Sequence, residues 1–350
     1  MTFRKNQFRR ALVNWYRRHR RDLPWRKTRD PYRILISEFM LQQTQIATVV
    51  RYYKDWLRRF PSFTALASAK QNDVLHAWQG LGYYARARNL HVAAKLVADR
   101  HRGHFPRSIE QMQRLPGVGR YTAHAVASFA FDEPVPIIEA NTARVLSRVF
   151  NLRSPIDSTH GKECLWQNAA VLVPKARAGI YNSALLDLGA VVCLPRAPKC
   201  AICPVKKFCR AKNPESLPIK RPPPATKRLV EKHAFIFHNN RLLLTKSITR
   251  WREMWILPAL NQCSKQDRAV YKAVFPFTNH RVTLQVFLKN KRKIDNGAGG
   301  SRATWTGKRA SVDEPGGESI NRHQRWFSRQ QLDSIPIPSP HRRAINLLLN

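Results

Sequence analysis

The sequence predicts a mostly α-helical domain over residues 1–210, a proline-stiffened linker over 211–230 and a smaller α/β domain over 231–350. Three observations carry this. Apolar residues recur at helical spacing through the first part, as in Leu35, Phe39 and Met40, then Ile46, Val49, Val50, Tyr53 and Leu57. The stretch 211–230 sets Asn213-Pro214, Pro218 and Pro222-Pro223-Pro224 among lysines and arginines, a stiff and solvated composition. Beyond it the apolar period changes from that of a helix to that of a strand.

The elements follow in order. Leu12, Trp15 and Tyr16 mark one face of a first helix. Asp30-Pro31 starts another, with the aspartate as N-cap and the proline in the first turn. Gly80-Leu81-Gly82 breaks the pattern, which resumes over Ala85–Leu96. Ser108-Ile109-Glu110-Gln111 is a capping-box start. The short helix it opens stops at Leu115-Pro116-Gly117-Val118-Gly119, and a new one runs from Arg120 to about Ala130. Asn141–Phe150 and Tyr181–Val191 read as two more. After the linker, His233–His238 and Arg241–Thr245 read as strands around an Asn239-Asn240 turn, and Val282–Lys289 as another. Residues 292–318, rich in Gly, Arg, Lys and Ser, read as a mobile loop, and no internal repeat is evident.

The 350 residues hold 62 Lys and Arg against 22 Asp and Glu, a formal net charge of +40. Such an imbalance suits a polyanionic partner, nucleic acid before an anionic membrane. There is no apolar run near the roughly 18 residues of a spanning helix, and the basic N-terminus lacks the apolar core of a secretion signal. A soluble, intracellular protein, cytoplasmic or nucleoid-associated, is expected. Of six cysteines, Cys193, Cys200, Cys203 and Cys209 fall within 17 residues, while Cys164 and Cys263 stand apart. A tight cluster in an intracellular protein points to metal. By ligand type, four thiolates in C-x6-C-x2-C-x5-C suit either a tetrahedral zinc or a [4Fe-4S] cluster.

Two other segments carry chemistry. Gly117 and Gly119 allow a tight turn that exposes backbone N–H groups at the start of a helix, a phosphate site without base preference. Glu38 lies in Ile34-Leu35-Ile36-Ser37-Glu38-Phe39-Met40, one carboxylate inside an apolar helix. Burial there raises its pKa toward that of a general acid at neutral pH. Gln42 shares its face one turn on.

The cysteine spacing and the glycine hairpin resemble the endonuclease III superfamily of helix–hairpin–helix DNA glycosylases. The resemblance sharpens with Leu23-Pro24-Trp25-Arg26, with Ser37-Glu38 before Leu41-Gln42-Gln43-Thr44-Gln45, and with Gly80-Leu81-Gly82-Tyr83-Tyr84-Ala85-Arg86-Ala87-Arg88-Asn89-Leu90. These closely resemble the MutY-type, A/G-specific adenine DNA glycosylases over residues 12–210. The resemblance implies a two-lobed helical core with a [4Fe-4S] loop held by Cys193, Cys200, Cys203 and Cys209, largely structural in role. It implies that Glu38 protonates N7 of a flipped adenine. Trp25, Arg26 and Leu41 match the adenine pocket, with Ser183 and Asp187 on a pocket-lining helix. Gln42, Gln43, Thr44, Leu81 and Tyr83, with the hairpin Gly117, Val118 and Gly119, match DNA-contacting positions. The expected partner is double-stranded DNA containing A:8-oxoguanine or A:G mispairs, bound by a monomer.

The departures matter. Lyase-competent relatives carry a lysine Schiff-base nucleophile where this chain has Tyr121, so strand cleavage is not expected. The family's sugar-side aspartate, followed by Gly-Asn, is here Glu139-Ala140-Asn141. The added methylene moves the carboxylate by roughly 1 Å, and a displacement of that size can cost about 10²-fold in rate. Glu139 either does the aspartate's work, is a weakened site, or only caps its helix; the first is favoured over Asp132 and Asp157. Tyr121 and Asn141 match residues that hold the sugar-side carboxylate and the reacting nucleotide. Ser183 stands where a longer acidic or amide side chain is usual. The C-terminal domain resembles the MutT-like (Nudix-like) domain of the same enzymes. It lacks the Glu-rich metal-binding helix, so neither hydrolase activity nor a magnesium site is expected there. Asn279 and His280 stand in the family's 8-oxoguanine-recognition loop, or in a plain loop before a strand. Two rival readings stay open: another superfamily glycosylase, acting on thymine mismatches or oxidised pyrimidines, and a catalytically weak mismatch-binding protein.

Overall fold

A computed structural model describes residues 4–260, 264, 266–289 and 323–350. Cys263 and the expected loop 292–318 lie outside the described residues. Contacts divide the chain into two units, Met1–Ala69 with Ala85–Pro223, and Lys70–Tyr84 with Pro224–Asn350. The segment carrying Leu81 and Tyr83 therefore groups with the C-terminal unit.

The first unit is helical: α1 (Lys5–His19), α2 (Pro31–Leu41), α3 (Ile46–Arg59), α4 (Phe63–Ser68), α6 (Ala85–His101), α7 (Ile109–Gln113), α8 (Arg120–Phe131), α9 (Ala140–Phe150), α10 (Thr159–Leu172) and α11 (Ala178–Val191). Asp30 caps α2 as its sequence predicts, accepting from the Tyr32 N–H at 2.9 Å. Helix α2 packs on α3, α6 and α8, so nearly every residue from Tyr32 to Met40 is buried. A second group packs Phe8, Leu12 and Tyr16 of α1 on Val145 and Leu146 of α9, Leu165 of α10 and Tyr181 and Leu185 of α11. The two groups meet where α11 packs on α8. Gly189 of α11 lets α9 approach: a Cβ there would lie 2.7 Å from Asn141 Cβ.

The proline-rich stretch is tied to this unit over much of its length. Arg148 donates to the Pro214 and Leu217 carbonyls at 2.6 and 3.1 Å, and the Arg221 N–H donates to Asp157. Asp132 likewise accepts from the Arg177 and Gly179 N–H groups at the start of α11. Both aspartates, the poorer catalytic candidates by sequence, are occupied by backbone N–H groups.

The second unit contains α5 (Gln71–Ala77), β1 (Lys227–Phe235), β2 (Phe237–His238), β3 (Arg241–Lys246), β4 (Trp255–Ile256), β5 (Tyr271–Phe277), β6 (His280–Leu288), β7 (Gln324–Ser328), α12 (Arg329–Asp333) and α13 (Ser339–Leu349). One sheet has the order β1-β6-β5, with β1 parallel and β5 antiparallel to β6. The other joins β2, β3 and β4, with β7 also paired to β3. Asn239 and Asn240 both have positive φ, the two-residue turn their sequence predicts. The core gathers Phe235, Leu242, Leu257, Leu284, Phe327 and Ile345.

Candidate active site

A cleft of about 1050 Å³ opens within the helical unit, lined by Trp25, Arg26, Glu38, Leu41, Gln42, Gln43, Thr44, Tyr121, Glu139, Asn141 and Ser183 among others. The sequence-predicted acid and sugar-side residues are thus brought together. Glu38 is held by its position on a helix buried on almost every side. Its Oε2 accepts a 2.7 Å hydrogen bond from the Tyr121 hydroxyl at the start of α8. Burial drives the Glu38 carboxyl up. Tyr121 and Arg26 oppose this and the nearby Glu139 adds to it, leaving Glu38 at about 7. Burial and the Glu38 charge push the Tyr121 phenol well above its ordinary range, so it stays a donor.

Glu139 is the N-cap of α9. Its Oε1 accepts from the Asn141 and Thr142 N–H groups at 2.8 and 3.0 Å, and its Oε2 from Asn141 Nδ2 at 3.2 Å. Thr142 Oγ1 accepts from the Glu139 N–H in return, completing a capping box. Three donors thus converge on this carboxylate at the N-terminus of α9. Capping and lining the cleft prove compatible, because Oε2 carries only the side-chain amide bond. Arg144 fixes that amide by donating to Asn141 Oδ1 at 2.8 Å, and also donates to the carbonyls of Gly189 and Cys193.

Opposite, Arg26 makes a two-pronged ion pair with Asp187, 2.6 Å to Oδ2 and 2.8 Å to Oδ1. Arg21 binds the same carboxylate through its backbone N–H and through Nε at 2.7 Å. Asp187 is wholly buried and lies behind the cleft wall; the neighbouring Ser183 lines it. Burial alone would raise the Asp187 carboxyl, but the bonds and charges of Arg26 and Arg21 outweigh it and hold the carboxyl below its usual range. At the end of α2, Arg86 donates to the Phe39 and Met40 carbonyls at 2.7 and 3.0 Å, and to Thr44 Oγ1 at 3.2 Å. That fixes the turn on which Gln43 stands exposed at φ 57°. Sequence reading missed the roles of Arg86, Arg21, Arg144 and Arg148. Each lay among many arginines, and only the buried acceptors in the fold distinguish them.

A family model described as HhH-GPD superfamily base excision DNA repair protein matches residues 36–168. A solved thermostable thymine-DNA glycosylase is 32% identical with a TM-score of 0.55, covering 59% of this chain and 95% of that one. The adenine DNA glycosylase of Homo sapiens is 45% identical over 215 residues, 59% of this chain but 39% of the human protein. This chain therefore spans about two-fifths of the length of that relative. The adenine DNA glycosylase of Buchnera aphidicola subsp. Schizaphis graminum is 33% identical over 295 residues, 82% of this chain and 80% of the relative. The chain belongs to the adenine DNA glycosylase family. Its helical unit has the HhH-GPD glycosylase fold.

The hairpin of this family member spans α7 to α8. Gly117 has φ 80°, and a Cβ there would lie 2.9 Å from both Asn89 Cβ and Phe39 Cε1. Gly119 caps α8, and Val118 is buried between them. Gly117→Ala is expected to lower stability by about 1–3 kcal/mol through backbone strain and the clash. It should also weaken duplex binding, as read by urea unfolding and fluorescence anisotropy; an unchanged unfolding midpoint would contradict this account.

Downstream, the cysteine loop packs on the α1/α9/α11 core through Cys193, Cys203 and Phe208. Fully buried Arg148 donates to Cys193 Sγ at 3.2 Å and to the Leu194 and Pro195 carbonyls. Cys209 Sγ donates to the Arg148 carbonyl. Burial first, then the neighbouring Cys193, Cys209 and Cys200, push the Cys203 thiol up to about 11. Among the described residues, no group of three or more His, Cys, Asp or Glu side chains is arranged to hold a metal ion. No helix of the described residues is long and apolar enough to cross a membrane.

In the second unit, Leu81 is buried, while Tyr83 is 42% exposed at φ 47°. Asn279 is in the two-residue Thr278-Asn279 turn between β5 and β6, and His280 is the first residue of β6. The Asn279 carbonyl accepts from the Lys227 N–H of β1.

Proposed function

We propose that this chain is a monofunctional adenine DNA glycosylase of base-excision repair, hydrolysing the N-glycosidic bond of adenine mispaired with 8-oxoguanine or guanine. The observation that carries the reading is the pair of carboxylates in one cleft, held by different means. Buried Glu38, raised to about 7, lies beneath the Tyr121 hydroxyl, and Glu139 caps a helix N-terminus where three donors meet it. A base inside a duplex must be flipped out to reach such a cleft. Glu38 then gives its proton to the departing adenine. The C1′–N bond breaks toward the base, and the positive charge growing on the sugar faces Glu139. Water adds to C1′ and returns a proton to the Glu38 carboxylate. Arg26, oriented by Asp187, and Trp25 hold the base. Tyr121 cannot form a Schiff base, which supports hydrolysis without strand cleavage.

The C-x6-C-x2-C-x5-C spacing of Cys193, Cys200, Cys203 and Cys209 is the ground for reading them as the ligands of a [4Fe-4S] cluster. They are four thiols on one loop, with the buried Arg148 guanidinium bonded to one sulfur. When bound, the cluster supplies a cross-link that fixes this loop, and the basic Lys199, Lys206, Lys207 and Arg210 are then presented to phosphate. The C-terminal unit is read as a MutT-like domain whose Asn279 and His280 meet the modified guanine. The monomer, acting on nucleoid DNA inside the cell, completes the proposal.

Labelled duplexes carrying A opposite 8-oxoguanine, A opposite G and T opposite G test it, each with and without hot alkali. Cleavage at adenine only after alkali is expected. Cleavage at thymine would favour the thymine-mismatch relatives. Tight mismatch binding with no base release would favour a mismatch-binding protein with Glu139 as cap alone.

A further inference from the structure

We infer that the outward face of the β1–β6–β5 sheet is a separate binding surface for the phosphate backbones of duplex DNA. Strand register assembles it from three rows. The first is Arg228–Arg281–Pro276, the second Val230–Thr283–Val274 and the third Lys232–Gln285–Lys272, each directly paired across the strands. The four cations are exposed, and Val230 and Val274 are 54% and 50% exposed. No acidic residue falls on these rows. Glu231, between Val230 and Lys232, alternates to the other face, where it pairs with Arg250 at 2.9 Å. None of the four cations forms an ion pair with a described residue. Near the end of β1, Ala234, with Ile236 just beyond the strand, packs with Leu243, Leu260 and Trp326, so among the described residues the open part of the face is confined to the three rows.

Three physical points identify the occupant. Like charges placed directly opposite on neighbouring strands are destabilising, and Arg228 faces Arg281 with no described acid to relieve them. A polyanion would. The two cationic rows lie four residues apart, about 13 Å at strand rise, close to the roughly 12 Å width of a DNA major groove, which separates two phosphate backbones. The arginine row also adjoins the Thr278-Asn279 turn, whose Asn279 carbonyl bonds to Lys227 beside Arg228. DNA reaching that turn would meet the arginines first.

The test is the salt dependence of binding to an undamaged duplex, with the full chain. Replacing all four cations, as Arg228→Gln, Lys232→Gln, Lys272→Gln and Arg281→Gln together, should flatten the slope of log K against log salt by about 2–4, since each lost phosphate contact contributes about 0.9. Each row replaced alone should remove about half of this, which keeps the test decisive if the quadruple variant folds poorly. Binding to polyglutamate is measured alongside. Slopes matching the parent in both row variants would overturn the inference. Loss of polyglutamate binding with DNA binding intact would overturn it in favour of an acidic protein. Failure of the turn to read 8-oxoguanine would show separately, as equal affinity for damaged and undamaged duplexes with the slope change retained.

Discussion

Replacing Glu38 with glutamine is expected to lower single-turnover adenine release by about 10³-fold or more, toward the upper end of what one general acid contributes. The amide keeps the size and burial of the side chain but has no proton to give at neutral pH. The parent should show a matching pH dependence. Glu38 must be protonated to act, and it titrates at about 7, so release should fall as pH rises through that value. The Glu38→Gln variant should lack this limb while still binding duplex. Release within tenfold of the parent, or a parent rate that rises through neutrality, would remove Glu38 from the acid role.

The second large effect is expected at Asp187. This carboxylate has no exposure and holds two arginines. Asp187→Asn leaves both buried or half-buried cations without their counter-ion, and breaking one side of a buried ion pair costs about 3–5 kcal/mol. The sign of the linked pH effect follows from the depressed carboxyl. Its contribution is fully present above the ordinary carboxylate range and is lost as pH falls through the lower folded value. The stability gap between parent and variant, followed by thermal unfolding, should therefore be widest near neutrality and close in acid. Activity should report the same charge. Arg26 favours the Glu38 anion, and Asp187 offsets Arg26. Without Asp187 the Glu38 limb should move to lower pH, and Asp187→Glu should restore it in part. A lower rate with an unmoved limb would reduce Asp187 to a packing role.

Much of this site was legible in the sequence because its signals are local. Asp30-Pro31 fixes the start of α2, and with it the phase that buries Glu38. The two glycines fix the hairpin, and with it the place of Tyr121. What sequence could not give was pairing over distance. Asp187 was expected as a pocket residue, yet 161 positions separate it from Arg26, and no local rule marks it as a clamp behind the wall. For Glu139 a helix cap was one of three alternatives, and the Thr142 half of its capping box was not foreseen. Strand β5 was not expected. Its Pro276 argues against a strand, but β5 is an edge of its sheet, where a missing N–H is tolerated. Helix α10 was not expected either, since Gly161 interrupts its pattern. The fold demands that glycine, because a Cβ would strike the Pro155 carbonyl at 2.0 Å.

Gly189 carries a consequence for the gene itself. Every single-nucleotide change that replaces a glycine codon adds a side chain, and even the smallest would drive a Cβ into Asn141 and part α9 from α11. The codon has no neutral exit. An unrepaired adenine opposite 8-oxoguanine leaves a G-to-T transversion, which turns a glycine codon into valine, cysteine, tryptophan or stop, depending on the base struck. On the function proposed here, a cell whose repair begins to lapse mutates this codon by the route that the protein holds in check. Loss of repair at that position would then be self-reinforcing.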